Sequence, residues 1–254
     1  MKIGILGIGH LAAYLVQGAQ GARHAFILSP RNADKAAALA ARYGCTVAAS
    51  NQAVVDACDH ILVCLPAAKG LEILRGLTFK PGQQVCSAMA GAGLDDLRAA
   101  VAPAHATVSM MPGYANAFSA GPTFLHPPHA GWAGFFAACG PVHEIPSGRD
   151  FETAAVFGAM SGASVHFMRY LAAWYQAQGL DPMTARRLVA ETLRGNAEVL
   201  LQSDASLEAL CDGVTTPGGI TEDLSGHLAR SGAFAAWSEG MTAILHRMSP
   251  ARKA

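Results

Sequence analysis

The chain opens on Lys2-Ile3-Gly4-Ile5-Leu6-Gly7-Ile8-Gly9-His10-Leu11-Ala12, an apolar run that meets a Gly-x-Gly-x-x-Ala and passes straight into helical sequence. Few short stretches restrict a fold as strongly. The run reads as a strand, and the glycines stand where the chain must turn sharply into a helix. Gly7 permits the tight turn, Gly9 leaves the backbone open to close approach, and Ala12 lets helix pack on sheet. The first amides of that helix have no partners within it. Amides near His10 and Leu11 therefore face whatever sits on the turn, and an anion suits them. The motif predicts a strand–turn–helix unit that holds the diphosphate of a dinucleotide on Gly7, Gly9, His10 and Leu11. A plain glycine turn is the other reading of the same residues.

The downstream sequence supports the dinucleotide site. "HAFILS" is a second strand, and Asn32 to Tyr43 reads as an alanine-rich helix. "CTVAA", "HILVCLP", "QVCSAMA", "ATVSMMP", "PTFLHP" and "PVHEIP" supply further strands, separated by helices or turns. Such alternation predicts an α/β, doubly wound, mostly parallel sheet of the Rossmann type. After "IPSGRD" the strand pattern stops. One long helix is expected from about Phe151 to Gln178. Asp181-Pro182 then starts another, as an N-cap followed by proline at the first helical position. "SLEALCDG", a helix from about Gly218 to Arg230 and one from Ala233 to Met248 complete the pattern, and the tail "SPARKA" reads as frayed. The expected division is 1–148, a dinucleotide-binding domain, and 149–254, an all-helical domain.

Composition narrows the partners. Lysine plus arginine balance aspartate plus glutamate at 18 each, with no basic stripe, which argues against nucleic acid and acidic membrane surfaces. Hydrophobic residues are 52% of the 254, largely alanine, yet no apolar run approaches the roughly 20 residues a bilayer span needs. The first residues do not read as a signal peptide. Six scattered cysteines form no Cys-x-x-Cys pair and read as reduced, packed thiols of a cytoplasmic protein. His126-Pro127-Pro128-His129 reads as a surface loop rather than a metal site, because the prolines exclude a helix and no carboxylate or cysteine adjoins.

The second strand ends in Leu28-Ser29-Pro30-Arg31-Asn32. A carboxylate here would hold both ribose hydroxyls of NAD. Arg31 instead offers a planar fork for a 2′-phosphate, with Ser29 as a second donor, and the pattern favours NADP. Asn51, after the third strand, is placed either to contact the adenosine ribose or to cap the next helix.

Late in the chain stands Val214-Thr215-Thr216-Pro217-Gly218-Gly219-Ile220-Thr221. If "PGGIT" opens a helix, the amides of Gly218, Gly219 and Ile220 are unpaired donors and Thr216 and Thr221 add hydroxyls. That set suits a small carboxylate. A capped helix start, with Thr216 as N-cap and Pro217 first, fits the same letters.

"VTTPGGIT", preceded by "LEALCDG" and followed by a helix pair, resembles the C-terminal signature of pyrroline-5-carboxylate reductases. The N-terminal Gly-x-Gly-x-x-Ala, the turn after the second strand and Met111-Pro112 recur in the same order. The resemblance implies NADPH as cofactor and reduction of a cyclic imine carboxylate, 1-pyrroline-5-carboxylate, to L-proline. It also implies a homodimer interlocked through the helical domains, with the active site between protomers, and possible rings of dimers. Carried over by position, Thr216 and the amides of Gly218 to Ile220 would take the substrate's carboxylate, and Thr221 would contact the ring nitrogen. Leu65 and Pro66 would line the cofactor.

The departures cluster at the substrate end. The family's Met-Pro-Asn is Met111-Pro112-Gly113 here, and its Val-Lys-Pro is Cys64-Leu65-Pro66. Its Ser-Gly-Ser-Gly-Pro-Ala-Tyr becomes Ser161-Gly162-Ala163-Ser164-Val165-His166-Phe167. His166 is thereby a candidate proton donor, with space-filling as its other reading. A different imine or a 2-oxo acid on the same fold, or an NADP-binding dimer without catalysis, are the alternatives these departures leave open.

Overall fold

The computed structural model describes Met1–Ser249; residues 250–254, most of the tail expected to fray, lie outside the described residues. Its contacts divide the chain into two units: Met1–Gly158 with the segment from Leu245, and Ala159–Ile244.

In the first unit β1 (Lys2–Leu6) passes through α1 (His10–Gly18) and a short 3-10 turn to β2 (Ala25–Leu28). The alternation continues with α2 (Ala33–Tyr43), β3 (Thr46–Val47), α3 (Asn51–Ala57), β4 (His60–Val63), α4 (Ala67–Arg75), β5 (Gln84–Ser87), α5 (Leu94–Val101) and β6 (His105–Met110). Then come β7 (Thr123–His126), α6 (Ala130–Phe136), β8 (Val142–Glu144) and α7 (Gly148–Ala155). The strands form one eight-stranded sheet in the order β3-β2-β1-β4-β5-β6-β7-β8. Every pair is parallel except β6 with β7. The doubly wound expectation holds. Strand order reverses between β1 and β4, and the crevice beyond their carboxyl ends is where such sheets take ligands.

The strands read as near-continuous apolar runs because both faces are covered. Successive side chains alternate between two cores. Ile3, Ile5, Leu28 and Leu62 point to one, with Leu15 of α1 and Trp132, Phe135 and Phe136 of α6. Leu6, Ile61, Val63 and Val85 point to the other, with Val54 of α3 and Leu97 of α5. This rigid sheet fixes the loops at its carboxyl edge.

The long helix expected from Phe151 to Gln178 is two. Ser147 caps α7, its hydroxyl accepting the Asp150 amide at 3.3 Å, so the helix starts three residues earlier. At Val156 the turn tightens, the amide bonding Thr153 O at 3.3 Å, and α8 (Phe157–Ala177) begins. No proline marks the break, and Gly158 falls just inside α8 where an isolated glycine is tolerated, so the pattern reads through it. The α7 segment packs with the sheet: Phe151 stacks on His126 of β7 at 5.8 Å between ring centroids. The contact boundary accordingly falls after Gly158 rather than at the end of the strand pattern.

The second unit holds most of α8, then α9 (Pro182–Gln202), α10 (Leu207–Val214), α11 (Ile220–Arg230) and most of α12 (Ala233–Met248). Asp181 caps α9 as its sequence requires, one carboxylate oxygen accepting the amides of Met183 and Thr184 at 3.0 and 3.1 Å. A hydrogen bond from the Thr184 side chain, followed by those backbone amides, holds its carboxyl below the usual range. Among the described residues none of α8, α10, α11 or α12 has a fully buried residue within it.

Candidate functional site

A cavity of about 510 Å³ opens at the carboxyl ends of β1, β2 and β4. Gly7, Gly9, Ser29, Arg31, Asn51, Leu65 and Pro66 all line it, so seven residues expected at the cofactor are brought together. Gly7 has φ +91°, and a Cβ there would meet Cys64 O at 2.7 Å. Only glycine fits that turn. A Cβ at Gly9 would meet nothing within 4 Å, which leaves the approach to the backbone free. Gly9 is the N-cap of α1 and no side chain caps the helix, so its first amides stay open to an anion. The residues present fit a dinucleotide diphosphate.

His10 and Leu11, also expected there, do not line the cavity; they belong to the first turn of α1. The His10 ring faces Lys35 Nζ at 3.4 Å and Tyr14 at 6.3 Å between centroids. Leu11 packs partly buried against the core. Ser29 is 1% exposed, and its hydroxyl accepts the Gly7 amide at 2.9 Å. Its evident work is to fix the glycine turn. Arg31 is exposed at the cavity wall and forms no ion pair among the described residues. Asn51 is not a cap. Ser50 caps α3, accepting the Ala53 amide at 3.0 Å, and Asn51 is the first helical residue, facing the cavity.

Sequence reasoning passed over three members of this wall. Asn32 bridges its parts, its Oδ1 accepting the Lys35 amide and its Nδ2 donating to Ile8 O at 3.0 Å. Asp34 adds a carboxylate in the first turn of α2. Cys64 lines the cavity, and burial pushes its thiol up to about 12, the Cys86 thiol adding to the effect. Burial likewise raises Cys86 to about 12, against a hydrogen bond from Ser109. Both thiols stay protonated and are poor nucleophiles. Asn32 carried a signal in its cap position; Cys64 carried none.

After β6 comes Gly113, and Asn116 three residues on is buried in the same loop. Asn116 Oδ1 accepts the Gly113 amide at 2.9 Å, and its Nδ2 donates to Gly121 O at 2.7 Å and Cys139 O at 3.1 Å. This amide is spent on holding the loop.

In the second unit Thr216, Gly218 and Gly219 form an exposed or half-exposed turn that leads into α11, and Ile220 and Thr221 are that helix's exposed first residues. The helix starts later than expected, at Ile220, with Gly219 as N-cap and no side-chain cap. Thr216 is therefore not its cap. The Gly219 amide donates to Thr216 O at 2.8 Å and closes a four-residue turn. Pro217 second and Gly218 third, at φ +71°, are what a type II turn asks for. The Gly218 amide donates to Glu222 Oε2 at 2.7 Å. Two of the three amides expected to be free are thus engaged. The first intrahelical bond is Asp223 N to Gly219 O, so Ile220, Thr221 and Glu222 present the unpaired amides instead. His166 lies exposed on α8, and no hydrogen bond or ring contact joins it to this turn among the described residues.

His129, expected in a surface loop, caps α6 by accepting the Trp132 amide on Nδ1 at 3.1 Å, and its Nε2 meets Gln84 Oε1 at 3.0 Å. Among the described residues no cluster of three or more His, Cys, Asp or Glu side chains is placed to hold a metal, and no helix is long and apolar enough to cross a membrane.

Comparison with known proteins gives two partial family matches. Residues 2–91 match NADP oxidoreductase coenzyme F420-dependent, and residues 152–250 match pyrroline-5-carboxylate reductase dimerisation. The pyrroline-5-carboxylate reductase of Escherichia coli is 25% identical over 97% of this chain and 96% of its own. Among solved structures, 1-pyrroline-5-carboxylate reductase from Streptococcus pyogenes superposes with a TM-score of 0.87 at 24% identity, covering 98% of both chains. Pyrroline carboxylate reductase from Plasmodium falciparum, solved with NADP bound, gives 0.86 at 19%, covering 98% of this chain and 97% of that one.

Proposed function

We propose that the chain is a divergent member of the pyrroline-5-carboxylate reductase family, an NAD(P)-dependent oxidoreductase that reduces 1-pyrroline-5-carboxylate to L-proline with NADPH. The cytoplasm as its compartment and a homodimer as its working form belong to the same proposal.

One observation carries the cofactor half: the glycine-turn cavity has Arg31 on its wall, without an ion-pair partner among the described residues. The open amides of α1 receive a diphosphate, and the guanidinium receives a 2′-phosphate in paired hydrogen bonds. NADPH, when bound, supplies the hydride that adds to the imine carbon and leaves as NADP⁺. The other residues bind and orient. Thr216 and the turn's amides hold the substrate's carboxylate, and the Thr221 hydroxyl meets the ring nitrogen. His166 supplies or orients the nitrogen's proton. A protonated imine is already electrophilic, so positioning carries much of the catalysis.

The test is turnover by the purified protein, followed as loss of NADPH absorbance with pyrroline-5-carboxylate, a piperideine carboxylate and simple 2-oxo acids. The expected result is fastest reduction of pyrroline-5-carboxylate. NADPH binding without turnover of any of them would overturn the proposal in favour of a non-catalytic dinucleotide-binding protein.

A further inference from the structure

The turn assigned to the substrate's carboxylate already carries one. Glu222 Oε2 lies 2.7 Å from the Gly218 amide, and the Gly219 amide is closed on Thr216 O. In an ordinary capping box a glutamate at the third helical position reaches back to the amide of the N-cap. Here the N-cap is Gly219, its amide is taken by the turn, and Glu222 reaches one residue further, to Gly218. The glutamate thus holds the turn rather than the helix. Its carboxylate forms no ion pair among the described residues, so no cationic side chain offsets its charge there.

We propose that Glu222 is a specificity-determining residue: its carboxylate holds the Gly218 amide that an acidic imine would need, and so weakens binding of substrates that bear a carboxylate. The inference rests on the reading of Thr216–Thr221 as the substrate's anion site. An incoming carboxylate must either displace Glu222 from a charge-assisted hydrogen bond or settle beside it on the remaining amides. Both oppose binding, the second through repulsion of like charges. A ring without a carboxylate meets neither obstacle. Asp223 is adjacent in sequence and so does not share Glu222's face of α11; its backbone amide, not its side chain, contacts the turn.

Wild type, Glu222→Gln and Glu222→Ala are compared on pyrroline-5-carboxylate and on 1-pyrroline, the same ring without the acid. In Glu222→Ala the preference for the acidic ring, as a ratio of kcat/KM values, rises about tenfold through a lower KM, the size of one hydrogen bond to a charged group. Glu222→Gln lies between, because its side-chain carbonyl still accepts from Gly218 without the charge. An unchanged or lower ratio in Glu222→Ala, with turnover intact, overturns the role of Glu222 and leaves the proposed function standing. Should no form reduce either ring, the proposed function falls, and Glu222 is judged by L-proline binding to the NADP⁺-saturated protein. Tighter binding by Glu222→Ala than by wild type then supports the inference, and equal or weaker binding removes it.

Discussion

Arg31 borders a cavity in which two of the other polar side chains, Ser29 and Asn32, are already committed. Ser29 is bound to the Gly7 amide and Asn32 to Ile8 and Lys35, so the guanidinium is the free cationic donor of this wall among the described residues. Replacing it separates the two nicotinamide cofactors. Arg31→Ala should raise KM for NADPH by about ten- to a hundredfold, the worth of hydrogen bonds to a charged group, and change KM for NADH by no more than about twofold. Steady-state kinetics with both cofactors checks this, and an equal loss for both would show that Arg31 does not read the 2′-phosphate. Single residues were legible where a local rule decides them. The placement of Gly7 and Gly9 follows from one strand–turn–helix junction, and that of Arg31 on the cavity wall from its position after β2. The engagement of Gly218 by Glu222 was not legible, because it depends on where α11 starts. The Pro217-Gly218 turn delays that start by two residues, and with it moves the free amides from the glycines to Ile220 and its successors.

Elements were read best where their ends carry chemistry of their own. Asp181-Pro182 fixes the start of α9, and the apolar strand runs fix the parallel sheet, because each signal lies inside the element it defines. The break at Val156 has no such marker, and Pro112-Gly113 marks where the chain leaves β6 without saying how the loop is held. That loop is held by Asn116, fully buried, whose partners come from Gly113, Gly121 and Cys139. Sequence spacing gives no hint that an amide will meet a carbonyl more than twenty residues away. Asn116→Ala would leave one amide and two carbonyls without partners in a closed space. Such groups cost about 1–3 kcal/mol each, and partial relaxation makes about 3 kcal/mol the expected total loss of stability. Chemical denaturation measures it, and a loss under about 1 kcal/mol would mean the loop holds its shape without this side chain.

At the scale of the molecule the second unit leaves its apolar surface uncovered. Ala185 and Val189 of α9 are its only fully buried hydrophobic residues among those described. Phe167, Tyr170 and Trp174 of α8 follow at helical spacing on one face, and Tyr170 and Trp174 are 67% and 60% exposed. An apolar groove between α8 and α12, lined by Met160, Trp237 and Met241, lies open on the same unit. Patches of this extent mark an interface. The dimerisation match over residues 152–250 makes a second copy of this chain the proposed partner. Light scattering should therefore give at least twice the 26.3 kDa of one chain. A glutamate at Tyr170 puts a charge at the centre of the α8 face and should raise the dimer dissociation constant by about tenfold or more. NADPH binding should survive that change, because the cavity is built wholly from first-unit residues. Turnover should fall with the dimer if the substrate turn works only in the assembled pair. A monomeric wild type at micromolar concentration, or a Tyr170→Glu protein that associates as tightly as wild type, would remove the α8 face from the interface.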